Sequence, residues 1–180
     1  MRPLDVKDLT LTPLGLRVGD KLLPCVIGKN GVSKLKREGD GKTPTGKHQI
    51  VGMLYRPDKI SQPRKWALPI RPRDIWSDDV KDPNYNLMGT SPSLFGHEPL
   101  FRCDRLYDLI LITNWNWPYA VKGRGSAIFI HSWIKKASPT EGCIALSKDN
   151  LLKVAKFIDF GSRLIVPESL HAHQRWPNQL

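Results

Sequence analysis

The sequence predicts a single, mainly β domain with one principal helix near residues 148–160. Three observations carry this reading. Short β-branched and aromatic runs recur, among them Leu22 to Ile27, Leu106 to Trp115 and Ala127 to Ile130. Prolines punctuate residues 56–105 at Pro57, Pro63, Pro69, Pro72, Pro83, Pro92 and Pro99, which neither helices nor central strands tolerate. Only one stretch combines helical apolar spacing with capping residues. A length of 180 residues suits one domain with its own core, expected over residues 9–167 with a tail at 168–180.

Residues 9–18 and 21–27 read as two strands of a hairpin turned at Gly19-Asp20. Gly28 to Gly46 is rich in Gly, Lys and Asp and reads as loop. Its Gly41-Lys42-Thr43 lacks the first glycine of a phosphate loop, because position 36 is lysine. The segment therefore reads as structural, with Pro44 and Gly46 turning the chain into a strand over Lys47 to Tyr55. Arg56 to Arg105 reads as a long excursion with short strands, such as Trp66 to Ile70, of the kind that walls a cleft. Trp66, Trp76 and Tyr85 are candidates for that wall, although each taken singly is more often a packing residue than a contact. Leu106 to Trp115 is the most strand-like run and ends at Asn116-Trp117-Pro118.

The helix opens on Ser147 as N-cap with Asp149 in its first turn. Leu151, Val154, Ala155 and Ile158 form its apolar stripe, and Gly161 stops it. Ser162 to Pro167 reads as the last strand. The tail from Glu168 reads as poorly ordered. His171 and His173 within it are weighed as metal ligands, with a solvated tail the favoured reading.

Hydrophobic residues make up 40% and charged residues 25%, an ordinary globular balance that excludes a disordered chain. No apolar run reaches the roughly eighteen residues of a membrane span. Asp5 and Asp8 interrupt the first twenty residues, so no secretory signal is read. The expected location is cytoplasmic for the chain as given, and periplasmic if its start is truncated. The net charge of +11 is concentrated early: residues 1–73 hold 16 basic and 6 acidic groups. Such a half attracts anionic partners. No RNP, zinc-finger or basic-helix pattern accompanies it, so nucleic acid is not expected as a partner. Three cysteines without a CxxC fit neither a disulfide scaffold nor a zinc knuckle. Cys25 reads as a buried hydrophobe, and Cys103, between Arg102 and Asp104, reads as exposed.

The chemistry concentrates in Ala127 to Leu146, AIFIHSWIKKASPTEGCIAL. A strand over Ala127 to Ile130 leads to His131. Ile144-Ala145-Leu146 reads as a second strand just after Cys143. The two strands and the loop between them can bring imidazole and thiol together. A neighbouring histidine shifts a thiol toward thiolate–imidazolium, so this pair is expected to be ionised. Gly142 allows a tight turn, which would aim the Gly142 and Cys143 amides at a developing oxyanion. The rival reading is a structural cysteine and a surface histidine. Arg124, between Gly123 and Gly125, is a candidate grip for a substrate carboxylate, or a surface arginine.

These residues resemble the signature of the L,D-transpeptidase (YkuD) family: a strand histidine, a loop, then Ser/Thr-His-Gly-Cys and an apolar residue. His131, Thr140, Gly142, Cys143 and Ile144 match, while Glu141 replaces a second histidine and Ala145 an arginine. Asp40-Gly41-Lys42-Thr43-Pro44-Thr45-Gly46 is similar to the family's DGxTPxG segment. Asp82-Pro83-Asn84-Tyr85-Asn86, Leu106-Tyr107-Asp108-Leu109 and Gly123 to Phe129 are similar to one of its branches. The resemblance implies a β-sandwich-like mixed sheet with a packed helix. It implies acyl transfer by Cys143, with His131 as base and the Ser132 carbonyl holding the imidazole. His97, Thr140 and Glu141 are implied near substrate. The implied partner is a peptidoglycan stem peptide or muropeptide, and the chemistry needs no metal or organic cofactor.

Crosslinking by an amine acceptor, L,D-carboxypeptidation by water in muropeptide recycling, and an inactive wall-binding module are the three readings this leaves. Glu141 would raise a neighbouring thiol and repel an acidic substrate unless paired with Lys135, Lys136 or Arg124.

Overall fold

The computed structural model describes residues 7–136 and 138–172. The described residues are mainly β with one α-helix. Its strands are β1 (Leu9–Thr12), β2 (Gly15–Val18), β3 (Lys21–Leu23), β4 (Cys25–Val26), β5 (Val32–Ser33), β6 (Thr43–Pro44), β7 (Gly46–Tyr55) and β8 (Leu68–Pro69). There follow β9 (Asp74–Ser77), β10 (Met88–Thr90), β11 (His97–Pro99), β12 (Leu109–Thr113), β13 (Phe129–Ser132) and β14 (Ile144–Leu146). The helix α1 (Lys148–Phe157) and β15 (Arg163–Val166) come last.

The main mixed sheet runs β3-β2-β1-β15-β7-β12-β13-β14-β4, with β8 added to β7. Only Pro24 separates β3 from β4, yet these strands sit at opposite ends of the order. The sheet therefore curls until its two edges meet, enclosing a core as a sandwich does. The β1/β15 and β13/β14 pairs are parallel, and β7 pairs antiparallel with both β15 and β12.

Strand alternation gives the sheet two buried faces. Met53, Leu111, Ile130 and Ile144 point into the larger cluster, which α1 closes with Leu151, Val154 and Ala155. Leu54, Ile110 and Phe129, one residue out of phase, point to the other face and meet Ile70, Trp76, Leu100 and Tyr107. The proline-rich excursion covers this second face. It carries its own small sheet, β10-β9-β11, so it is ordered where the sequence suggests irregularity.

Several expectations are corrected. The first run is two strands, because Pro13-Leu14 turns β1 onto β2; the Gly19-Asp20 turn does join β2 to β3. The first catalytic-stretch strand is Phe129–Ser132, since Ala127 has φ 37°, outside the β region. Leu106 to Trp115 narrows to β12, and Trp66 to Ile70 narrows to β8. The Ser147 hydroxyl caps α1 by accepting from the Asn150 amide, as expected, but the helix stops at Phe157 because Ile158 is already extended. The segment after Pro167 is a 3₁₀ turn over Glu168–Ala172, anchored by buried Leu170. His173 lies outside the described residues. Trp76 and Tyr85 are buried and Trp66 packs on the main core, so none of the three lines the cleft.

Candidate active site

Cys143 and His131 come to one side of the sheet by register. In the parallel β13/β14 pair, Ile130 faces Ile144 and His131 faces Ala145. Ile130 and Ile144 point into the larger core, so their neighbours His131 and Cys143 both point to the opposite face. A cavity of about 710 Å³ opens there, reaching both residues. The excursion and the loop before β14 form its walls. His97, Thr140, Glu141 and Gly142 line it, whereas Arg124 does not. The Arg124 guanidinium instead lies over the Trp115 ring, 4.9 Å from its centroid.

His131 is held from two directions. Its Nδ1 lies 2.8 Å from the Ser132 carbonyl, which can only accept, so the neutral ring carries its proton on Nδ1 and leaves Nε2 as a base. Tyr107 packs edge-on against it, with centroids 5.5 Å apart. Ser132 acts through its carbonyl; its hydroxyl is buried with no hydrogen-bond partner among the described residues. The Cys143 thiol donates to the Ala127 carbonyl at 3.2 Å and accepts from the Phe129 amide at 3.3 Å, so its proton is not on His131.

The expected ionised pair is not the resting state. Burial pushes the His131 imidazole down to about 4, against the upward pull of the Ser132 carbonyl. Burial likewise pushes the Cys143 thiol up to about 12, opposed by the Phe129 amide, raised further by Glu98 and lowered by Lys36. Two charges removed from water cost more than their proximity returns, so both groups rest neutral.

This has a measurable consequence for stability. Unfolded His131 binds a proton below about pH 6.5, whereas the folded ring binds one only near 4. Its contribution is present above 6.5 and is lost as pH falls through 4, amounting to roughly 3 kcal/mol. Urea unfolding at pH 7 and pH 4.5 is expected to show this loss in the wild type and a smaller one in His131→Gln. Equal slopes would refute the assignment.

The loop before Cys143 is braced by remote segments. Thr140 Oγ1 donates to the Cys143 carbonyl at 2.5 Å and accepts from the Gly142 amide at 3.2 Å. The Gly142 amide is thus occupied, correcting the expectation that it points at an oxyanion. The Cys143 amide makes no hydrogen bond among the described residues and remains a donor. Thr43 Oγ1 donates to the Gly142 carbonyl at 2.7 Å and accepts from the Gly28 amide at 3.0 Å. The DGKTPTG segment, expected only to turn the chain into a strand, therefore also acts as a buttress. Glu141 is exposed and paired with Lys29 at 2.7 Å, not with Lys135, Lys136 or Arg124.

Four further residues contribute to the site. Asn86 accepts from Trp76 Nε1 and the Ala127 amide, and donates to the Asn116 carbonyl at 2.7 Å. It thereby fixes Ala127, whose carbonyl holds the thiol. Tyr107 donates to Glu98 Oε1 at 2.6 Å beside His131. Burial raises the Glu98 carboxyl, against that hydrogen bond. Lys36 lies buried in the cavity wall. Asn86 and Tyr107 sit inside motifs visible in the sequence, but Lys36 and Glu98 carry no local signal. Among the described residues, no group of three or more His, Cys, Asp or Glu is placed to hold a metal, and no helix is long and apolar enough to cross a membrane.

The chain belongs to the L,D-transpeptidase catalytic domain family (YkuD), whose model matches residues 15–166. It is similar to solved structures that include an L,D-transpeptidase from Mycobacterium smegmatis, at 15% identity and TM-score 0.39, covering 88% of this chain and 56% of that one. Another is the helical cell shape determining protein Pgp2 from Campylobacter jejuni, at 19% identity and TM-score 0.41, covering 85% of this chain and 40% of that one. The chain thus spans between two fifths and little more than half of these proteins' lengths. Comparison with curated proteins gives no match.

Proposed function

We propose that the chain is a cysteine acyltransferase acting on the bond between a diamino acid's L-centre and terminal D-Ala in a peptidoglycan tetrapeptide stem. Family membership supports the substrate class, since a fold alone names none. The observation that carries the chemistry is the shared cavity: a thiol and an imidazole with free Nε2 on one face of adjacent strands.

In this reading His131 Nε2 takes the Cys143 proton as Sγ attacks the amide carbonyl. The Cys143 amide stabilises the oxyanion, a contribution of roughly 2.7–4 kcal/mol for one such donor. The C–N bond then breaks, the proton passes from His131 to the leaving amine, and D-Ala departs from a Cys143 thioester. Ser132 holds the imidazole through its carbonyl. Thr140 and Gly142 shape the loop, and His97 lines the substrate's path. Attack on the thioester by an amine gives a crosslink, and attack by water gives a trimmed stem.

Incubation with disaccharide tetrapeptide, followed by mass spectrometry, tests this directly. Loss of D-Ala with dimers identifies transpeptidation, and loss without dimers identifies carboxypeptidation. An unchanged stem that nonetheless binds would leave a wall-binding module.

A further inference from the structure

Lys36 is a buried charge that the proposed reaction leaves without a task. Its side chain is 3% exposed. The ammonium donates to Asp40 Oδ1 at 2.6 Å and to the Arg37 carbonyl at 2.7 Å. Its stem runs between two glycines that flank the site. A Cβ on Gly125 would meet Lys36 Cγ at 3.2 Å and Nζ at 3.4 Å, and one on Gly142 would lie 3.5 Å from its Cε. Two neighbouring backbones thus leave room for this chain and lead it to the cavity wall beside the Cys143 loop.

Burying an ammonium costs several kcal/mol per ion, and an apolar residue of similar size in a paired site is often as stable or more so. Packing alone therefore does not account for a lysine here. The surrounding charges indicate what does. Acidic groups prevail in the cavity: Glu98, Glu38, Asp78 and Glu141 line it beside Tyr107, which donates to Glu98, His97 and neutral His131, and of its two lysines Lys135 is exposed to solvent whereas Lys36 is buried. Glu141 is turned outward onto Lys29. Sulfur that gains negative charge in this setting needs a cation nearby.

We infer that Lys36 is a positioning residue for charge: it stabilises the Cys143 sulfur as it becomes anionic, and Asp40 sets how much of its field reaches that sulfur. The inference rests on Cys143 being the nucleophile. Lys36 acts to lower the Cys143 thiol, and Asp40 is held below the ordinary carboxylate range because Lys36 and two backbone amides outweigh its burial.

The test is alkylation of the full chain by iodoacetamide between pH 7 and 10, read on the Cys143 peptide by mass spectrometry. Cys103, which is exposed and lies outside the cavity, is the internal standard. Below the thiol midpoint the rate follows the thiolate fraction. Lys36→Met is expected to slow the Cys143 rate about tenfold at fixed pH, equivalent to a midpoint one unit higher. Lys36→Arg is expected to restore most of it. Asp40→Asn is expected to speed the reaction about threefold, because it removes the anion that offsets Lys36.

A lysine that only packs the loop predicts no change in Lys36→Met, or shifts of one sign in both variants, and either result overturns the inference. If Lys36→Met does not fold, Asp40→Asn decides alone: a faster rate supports the inference, and an unchanged or slower one overturns it. Alkylation does not require turnover. Absent D-Ala release would therefore sink the proposed function without altering this order of rates.

Discussion

Cys143→Ala is expected to abolish D-Ala release from disaccharide tetrapeptide, a loss on the order of 10⁴-fold or more, because no covalent intermediate can form. Alanine also leaves the part-buried Phe129 amide and the Ala127 carbonyl without the sulfur they now share. That adds a stability cost of about 1–3 kcal/mol per stranded group, which could be mistaken for the cause of inactivity. Cys143→Ser separates the two effects. Its hydroxyl can keep both hydrogen bonds, so its melting temperature should stay near the wild type while activity is still lost. A serine variant that releases D-Ala at the wild-type rate would remove sulfur from the mechanism. Alanine and serine variants that both trim the stem would remove Cys143 altogether.

Gly142→Ala should be nearly as damaging, for a reason of backbone geometry. Gly142 has φ +147°, a region that side-chain-bearing residues rarely adopt. A Cβ there would lie 2.8 Å from the Lys42 carbonyl and 3.3 Å from Ile128 Cδ1. Relief requires the Cys143 loop and the 40–46 buttress to separate, straining the Thr43-to-Gly142 hydrogen bond. The expected cost is roughly 1–3 kcal/mol for the backbone alone, with a further activity loss of about 10²-fold from a displacement near 1 Å. Gly161→Ala is the control: φ is +82° with nothing within 4 Å of the added carbon. It should lose stability from backbone strain only and retain full activity. Equal behaviour of the two variants would mean that the buttress does not position Cys143.

Much of the fold was legible because its signals are local. The β7 strand, the Ser147 cap, the β12 run and the strands on either side of the Cys143 loop follow from period, branching and turn chemistry within a few residues. Boundaries moved where one residue imposed its own geometry, as at Pro13 and at Ala127 with its positive φ. The three aromatics weighed for the cleft wall follow the packing reading, and residue type alone does not decide this because aromatic side chains serve packing and contact alike. Trp76 faces Phe129 edge-on at 5.0 Å, inside the second core. For Arg124 the surface alternative fits: its two flanking glycines give it freedom without saying where it goes, and its exposed guanidinium lies over Trp115.

The amino-acid sequence by itself determined the β character, the capped helix, the identity of the candidate dyad and the family. Each is carried by residues adjacent in the chain or by motifs in a fixed order. Tertiary structure alone decided the protonation of that dyad and the company it keeps. Whether a thiol and an imidazole exchange a proton at rest depends on how much water the surrounding segments exclude. Here those segments are Lys36 and Asp40 from one loop, Asn86 and Glu98 from the excursion, and Tyr107 beside His131. They lie between 36 and 107 residues from Cys143 along the chain. Desolvation and Coulomb interaction depend on separation in space, so no pattern around residue 143 could reveal that its sulfur rests as a thiol.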